Sequence, residues 1–98
     1  MVKIKEIENK IKENLPYIKN QFKVKEIGVF GSVVRNEQTK KSDIDILVEI
    51  AKGHKDLFNF LSLKEYLENL LNAEVDLVMK KGIKPRLKDV ILKEVIYV

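Results

Sequence analysis

The beginning of the chain has the apolar spacing of an amphipathic helix, with steps of three and four positions. The positions concerned are Ile4, Ile7, Ile11 and Leu15. Pro16 lacks the N–H that an inner helical position needs, so we expect it to end or kink this helix. Tyr17, Ile18 and Phe22 allow the helix to continue for another turn beyond the proline.

Two strands are predicted in the first half of the chain. Val24–Phe30 is short and rich in β-branched residues, which is typical of a buried strand. Residues 43–50 alternate between apolar and other positions and predict a second strand. Gly31 and Ser32 predict a sharp turn after the first strand, with Ser32 as the N-cap of a short helix that ends at Arg35.

The second half of the chain adds a helix and a third strand. Apolar residues at helical spacing predict a helix over Leu57–Leu71, with Asp56 as its N-cap. The apolar residues of its inner face are Phe60, Leu63, Leu67, Leu70 and Leu71. Residues 74–79 predict a third short strand. The polar segments 36–42 and 51–56 are expected to be loops.

The chain is predicted to end in a basic loop and a last helix. The loop covers residues 80–84, and Pro85 suits the first position of the helix. The side chains that this helix is expected to turn inward are Leu87, Val90, Ile91 and Val95. The order αβαβαβα predicts one small α/β (α+β) domain over residues 1–98, with a short sheet covered by helices. The direction of the strands does not follow from the pattern.

Composition restricts the classes of protein to which the chain can belong. Its 98 residues fit one compact domain, and a hydrophobic content of 45% argues against disorder. Because there is no cysteine, disulfides and thiolate metal ligands are excluded. No apolar stretch is long enough to span a bilayer, and the first residues do not form a signal peptide. We therefore expect a cytoplasmic protein without a membrane partner.

The charge balance allows two interpretations. The chain has 19 basic and 15 acidic residues, which give a net charge of +4. This excess could serve a polyanionic partner such as a nucleotide or a nucleic acid. A surface rich in lysine and glutamate, as in heat-adapted proteins, gives the same balance. The second interpretation is favoured by charge alone, because the lysines are spread through the whole chain.

The candidate chemistry lies in acidic residues on two of the predicted strands. Side chains alternate along a strand, so Asp43 and Asp45 share one face while Ile44 points to the other. In the third strand, Asp76 is expected on the same face of the sheet as these two aspartates. Glu74, two positions earlier, is the competing candidate for the third acid of the site. Carboxylates about 5 Å apart repel each other by roughly 3 kcal/mol at an effective dielectric constant of about 20. A hard divalent ion such as Mg²⁺ removes this conflict, so we predict a metal site if the strands are neighbours.

Gly31 and Ser32 supply the second half of the predicted site. At the end of a strand, a glycine lets a phosphate approach the backbone closely, and the N-terminus of the helix that follows presents unpaired N–H groups and a positive dipole end to that anion. Ser32 is expected to add a hydroxyl donor, with a plain capping role as the alternative. A phosphate cradle joined by one loop to a carboxylate cluster is what nucleotidyl transfer requires.

Together, these residues resemble the signature of the DNA polymerase β-like nucleotidyltransferase superfamily. Gly31 and Ser32 open the segment of residues 31–35. Ten residues after Ser32, the segment of residues 42–48 contains the sequence Asp-Ile-Asp at positions 43–45. The chain is similar in particular to the minimal nucleotidyltransferases, single-domain members often encoded beside a HEPN-domain protein as toxin–antitoxin pairs. The resemblance covers nearly the whole chain and includes the strand of Asp76 and the closing segment from Lys84 onward.

The resemblance implies an activity and a role for each motif residue. Family members bind ATP with Mg²⁺ and transfer AMP to an acceptor hydroxyl, which in the toxin–antitoxin pairs is a tyrosine of the toxin. By this resemblance, Asp43 and Asp45 bind the metal ions. Asp76 completes the metal site and is the candidate general base, while Gly31 and Ser32 hold the triphosphate.

Other positions near the motifs carry weaker expectations. The family often has a small residue in place of Val34 and a glycine in place of Asn36, but asparagine tolerates a left-handed backbone. Arg35 is expected to bind nucleotide, with an ordinary ion pair as the alternative. The lysines expected to be solvated in the basic loop are Lys80, Lys81 and Lys84.

The leading hypothesis is a Mg²⁺-dependent adenylyltransferase that modifies a protein. The chain leaves no residues for an acceptor-binding domain, so the acceptor is expected on another chain, a HEPN-domain toxin. The alternative is an antitoxin that neutralises its partner by binding alone. Nucleic-acid binding through the basic loop is a third, disfavoured hypothesis, and it predicts a steep loss of affinity with salt. Homo-oligomerisation stays open.

Overall fold

The computed structural model describes residues 3–37, 43–54 and 56–98. Most of the predicted loop over residues 36–42, including Ser42 of the signature, therefore lies outside the described residues, as does Lys55. Within the three described ranges, no helix has the length and apolar character needed to cross a membrane.

Two consecutive helices open the fold. The first, α1, covers Ile4–Glu13, and the second, α2, covers Leu15–Phe22. The predicted interruption is confirmed, but it falls at Asn14 rather than at the proline. Pro16 stands in the first turn of α2. A proline is tolerated there because the first N–H groups of a helix have no partner within the helix.

The described residues form one mixed sheet of four strands in the order β3-β2-β1-β4. The strands are β1 (Val24–Phe30), β2 (Ile44–Ile50), β3 (Val75–Met79) and β4 (Ile96–Tyr97). β1 runs antiparallel to β2 and to β4, whereas β2 and β3 are parallel. The α+β architecture that the sequence predicts is confirmed. β4 is an addition, because two residues are too short to give a recognisable alternation.

The helix between the parallel strands has the predicted bounds. This helix, α3, covers Leu57–Leu71, and Asp56 Oδ1 accepts a hydrogen bond of 2.7 Å from the Asn59 N–H. Such a cap satisfies one of the donors that have no partner within the helix. Parallel strands need a crossover connection of this kind, so α3 is the element that allows β3 to lie beside β2.

One face of the sheet packs against α1, α2 and α3 to form the core. Along β2 the even-numbered positions belong to this core cluster and the odd-numbered ones do not, although Leu47 is buried as well. The helical members of the cluster are Ile7, Ile11, Ile18, Phe22, Leu63, Leu67 and Leu71. Asp45 therefore projects from the opposite face, as the predicted parity requires.

The last helix, α4 (Pro85–Glu94), turns only part of its predicted inner face toward the fold, since Ile91 and the following Val95 are half-buried. Leu87 is 53% exposed and Val90 is 60% exposed, and α4 contains no buried residue. The prediction of an inward side chain is therefore wrong for Leu87 and Val90, and α4 contributes no residue to the core cluster. An amphipathic pattern identifies an apolar face, but it does not provide an element for that face to pack against.

Candidate active site

Asp45 and Asp76 lie side by side on the parallel strands β2 and β3. Their Cα positions are register partners, one step after the buried pair Ile44 and Val75. Neighbouring strands are about 4.8 Å apart, so carboxylates at paired positions on one face meet directly. The predicted convergence of acidic side chains from two strands is confirmed, while the roles of these residues stay predictions.

Asp43 and Glu74 stand just before the two strands. Asp43 is exposed, and its negative charge acts on Asp45. The carbonyl of Glu74 accepts a hydrogen bond of 2.9 Å from the Ile44 N–H, which continues the pairing of the strands. Asp76, rather than Glu74, is the register partner of Asp45. The structure therefore favours Asp76 over its competitor as the third acid.

The acidic residues perturb one another. Burial, followed by the charges of Asp76 and Asp43, raises the pKa of Asp45 to about 6. A hydrogen bond between the carboxyl groups of Asp45 and Asp76 acts in the same direction, and the positive charge of Arg35 opposes it. Burial and the neighbouring negative charges therefore both favour the protonated form of Asp45.

Gly31 joins the acidic residues to the turn. Its φ of +80° lies in the left-handed region, and an added Cβ would be 2.0 Å from Asp45 Oδ2. Phe30, the preceding residue, is paired with Asp45 across the strands. Glycine is needed here because the carboxylate of Asp45 occupies the space of a side chain. This requirement was not predicted from the sequence.

The turn after β1 is shorter than predicted. Gly31–Val33 forms one 3₁₀ turn, and Ser32 lies within it, so the prediction that Ser32 caps a helix reaching Arg35 is wrong. The Gly31 carbonyl accepts hydrogen bonds from the N–H groups of Val34 at 3.1 Å and Arg35 at 3.2 Å. Asn36 has a φ of +58°, which confirms that asparagine takes a left-handed backbone at this position.

Two glutamates bind Arg35. Its Nε donates to Glu37 Oε1 at 2.5 Å, and its Nη1 donates to Glu94 Oε1. These partners raise the pKa of the Arg35 guanidinium. The ion pair that was the alternative for Arg35 is thus present, and the nucleotide contact stays a prediction.

Glu94 lies near the site, although the sequence analysis did not place it there. Besides its bond to Arg35, Glu94 Oε2 accepts a hydrogen bond of 2.8 Å from the Gly31 N–H. These partners are 59 and 63 positions away along the chain. No local spacing relates residues so far apart, so only the tertiary structure shows the contact.

Lys80 does not belong to a solvated loop. Its Nζ is 3.4 Å from Glu26 Oε1, 4.0 Å from Glu49 Oε2 and 5.4 Å from the centre of the Tyr97 ring. The expectation of a solvated side chain is therefore wrong for Lys80, whereas Lys81 and Lys84 are exposed. Lys80 neutralises acids of β1 and β2 instead of those of the candidate site.

The acids of the site fit a hard cation by their chemistry. Asp43, Asp45 and Asp76 offer carboxylate oxygens, the ligands that Mg²⁺ prefers. A cation held by these residues would favour the ionised form of Asp45, against the burial and the neighbouring negative charges that raise its pKa. In residues 3–37, 43–54 and 56–98, no three or more acidic or histidine side chains already form a ligand set for one ion. The fit therefore rests on the Asp45–Asp76 contact, with Asp43 beside it.

Comparison with known sequences points to one family. A family model described as a nucleotidyltransferase domain matches residues 4–98. The protein adenylyltransferase MntA of Thermococcus cleftensis is 44% identical over 98 residues, which cover 100% of this chain and 98% of that protein.

Solved structures agree with the sequence comparison. A structure assigned as a minimal nucleotidyltransferase has a TM-score of 0.82 and 33% identity, covering 97% of this chain and 95% of that one. A toxin–antitoxin structure with AMP-PNP has a TM-score of 0.67 and 27% identity, covering 95% of this chain and 69% of that one. A third structure contains a tri-AMPylated HEPN toxin of Shewanella oneidensis in complex with the MNT antitoxin. It has a TM-score of 0.59 and 25% identity, covering 95% of this chain and 66% of that one. The resemblance drawn from the motifs is confirmed.

Proposed function

Because the chain belongs to the nucleotidyltransferase domain family, we propose that it is a protein adenylyltransferase that moves AMP from ATP to a hydroxyl group of a partner protein. The observation that carries this proposal is the pairing of Asp45 with Asp76, directly against the Gly31 turn. Residues 1–98 act as one nucleotidyltransferase domain in this proposal.

In the proposed site, Asp43, Asp45 and Asp76 hold Mg²⁺, which when bound supplies positive charge for the triphosphate. The acceptor oxygen attacks the α-phosphorus, the bond to the bridging oxygen of the β-phosphate breaks, and pyrophosphate leaves. Asp76 takes the proton of the acceptor hydroxyl as general base. Its exposed position on β3, an edge strand, leaves room for an acceptor on another chain.

The turn after β1 is the proposed binding site for the triphosphate. Gly31 brings the backbone close to the phosphates without a side chain in the way. Ser32 contributes its hydroxyl, and Arg35, whose side chain is half-exposed, contributes positive charge. The same turn touches Asp45, so nucleotide and metal ligands are adjacent.

The acceptor is proposed to be a tyrosine of a HEPN-domain toxin, which AMP transfer neutralises. Two of the similar structures support this partner, since one contains an AMPylated HEPN toxin and the other a toxin–antitoxin with an ATP analogue. The alternative remains an antitoxin that acts by binding alone, and it predicts inhibition of the toxin without modification.

The proposal is tested by intact-mass analysis of a HEPN-domain partner after incubation with this protein, ATP and Mg²⁺. We expect the partner to gain mass in multiples of AMP. Asp45→Asn removes a metal ligand beside the reacting phosphate and is expected to slow the transfer at least about 100-fold. Thermal unfolding of the variant verifies that the fold is intact.

The matched control is Glu65→Gln, which removes an exposed acid on α3 away from the site. We expect this variant to transfer AMP at the rate of the unmodified protein. Full activity of Asp45→Asn would contradict the assignment of the site. Inhibition of the partner without a gain in mass would instead support the binding antitoxin.

A further inference from the structure

The carboxylate of Glu94 bridges the two ends of the turn that we assign to the triphosphate. One oxygen accepts the Gly31 N–H at 2.8 Å, and the other accepts Nη1 of Arg35. The Glu94 side chain is only 15% exposed, in contrast to the 62% of Glu37, the other partner of Arg35. Glu94 is therefore held within the fold, although it is the last residue of a helix that contains no buried residue.

The pairing of β4 with β1 explains why Glu94 lies at the turn. Gly28 pairs with Tyr97 and Val29 pairs with Ile96 in an antiparallel register. Two further steps of this register place residue 94 opposite residue 31. The pairing of the two strands thus positions the Glu94 side chain next to the Gly31 N–H.

A carboxylate at this position can act in either of two opposite ways. As an anion on two phosphate-binding groups, it would compete with the triphosphate and weaken nucleotide binding. By its hydrogen bonds to both Gly31 and Arg35, it would instead hold the turn in a conformation that binds nucleotide. The two roles predict opposite signs for the effect of its removal.

Two observations favour the second role. Arg35 neutralises the charge of Glu94, which reduces its repulsion of a phosphate. The Glu94 carboxylate contacts both ends of the turn at once and is only 15% exposed, so the fold holds it where it fixes their separation.

We infer that Glu94 is a positioning residue that fixes the Gly31 turn for binding of the nucleotide triphosphate. The inference rests on the proposed function, and it adds a residue of the C-terminal segment to the site. It also means that the contact of β4 with β1 supports nucleotide binding, because that pairing places Glu94.

The test is calorimetric titration of the full chain with AMP-PNP and Mg²⁺. We expect Glu94→Ala to weaken binding about tenfold or more, and Glu94→Gln to weaken it less, because an amide oxygen retains one of the two bonds. In the transfer reaction, the KM for ATP is expected to rise while the KM for the protein acceptor stays unchanged. The control is Lys93→Ala, which changes the exposed neighbour and is expected to leave affinity unchanged.

An NMR spectrum provides a readout that does not depend on activity. In the unmodified protein the Gly31 amide bonds to a carboxylate, so its proton is expected downfield, and Glu94→Gln is expected to shift it upfield while distant amides stay in place. Glu94→Gln preserves size and shape, so it decides the question if Glu94→Ala fails to fold.

Each outcome separates the inference from the proposed function. Tighter AMP-PNP binding by Glu94→Gln shows competition with the phosphates and overturns the inference, as does unchanged binding by both variants. Failure of the unmodified, folded protein to bind AMP-PNP overturns the proposed function, and with it the inference. If the unmodified protein transfers AMP and both Glu94 variants have the same nucleotide affinity and the same KM for ATP, the inference alone is overturned.

Discussion

At the scale of single residues, the site depends on what surrounds the Asp45 carboxyl group. Gly31 leaves room for it, Asp76 and Asp43 repel its charge, and Arg35 partly offsets that repulsion. An acid held among other acids costs stability, and such costs concentrate at functional sites. The unfavourable charge is therefore itself a sign that the site has a function.

The raised pKa of Asp45 makes folding stability depend on pH. Its pKa is about 6 in the folded state against an ordinary value of 3.8, so the folded state holds the proton more tightly than the unfolded state. The contribution of Asp45 to stability is therefore complete below the ordinary value and is lost as the pH rises through about 6. We expect Asp45→Asn to be more stable than the unmodified protein near neutral pH, by about 1–2 kcal/mol after solvent screening.

Urea unfolding in EDTA near pH 4 and near pH 7 measures this difference. The gain in the free energy of unfolding is expected near pH 7 and is expected to disappear near pH 4, where the unmodified side chain is protonated. Asp89→Asn, on the exposed face of α4, is the control without such a gain. An equal effect of Asp45→Asn at both pH values would show that the repulsion is absent.

At the scale of elements, the short strand β4 determines where the C-terminal segment lies. Its two residues pair with β1, and the Val98 N–H donates to the Ile27 carbonyl at 2.9 Å. Gly28 permits this close approach, because an added Cβ would be 2.6 Å from Val95 Cγ2 and 3.1 Å from the Ile96 carbonyl oxygen. A glycine inside a strand is typical of such an approach between backbones.

We therefore expect Gly28→Ala to displace β4 and to lower the free energy of unfolding by about 1–3 kcal/mol. Urea unfolding measures the loss. Gly82→Ala is the matched control, since an added Cβ there would meet only Met79 Cβ at 4.0 Å. Adding Val95→Ala to Gly28→Ala removes the closest clash and is expected to recover part of the loss. Unchanged stability of Gly28→Ala would contradict the close packing of β4.

At the scale of the whole molecule, the sheet, the turn and the C-terminal segment meet at one place. β3 provides Asp76, β2 provides Asp45, and the pairing of β4 brings Glu94 to the turn after β1. A ligand that binds here contacts elements from most of the chain. Its binding is therefore expected to stabilise the fold as a whole, because it binds the folded state and not the unfolded chain.

Addition of Mg²⁺ with AMP-PNP is accordingly expected to raise the unfolding temperature. At ten times the dissociation constant, the stabilisation is about 1.4 kcal/mol, and each kcal/mol corresponds to about 4–8 °C for a domain of this size. Thermal unfolding with the ligand and with EDTA measures the shift. The double variant Asp45→Asn, Asp76→Asn is expected to show no shift, and an equal shift in that variant would place the ligand elsewhere.

The sequence by itself determined most of the elements and the residue types of the motifs. The bounds of β1 and α3, the cap at Asp56 and the common face of Asp43 and Asp45 follow from spacing between near neighbours. Such features depend on the dihedral angles and hydrogen bonds of a few consecutive residues, which the local sequence specifies.

Only the tertiary structure decided which elements meet. It placed Asp76 beside Asp45, left Leu87 and Val90 of α4 exposed and brought Glu94 to Gly31. These contacts join residues far apart in the chain, and they depend on how strands pair and on which faces find a partner to cover them. Strand pairing and burial are properties of the assembled molecule, so no spacing along the chain encodes them.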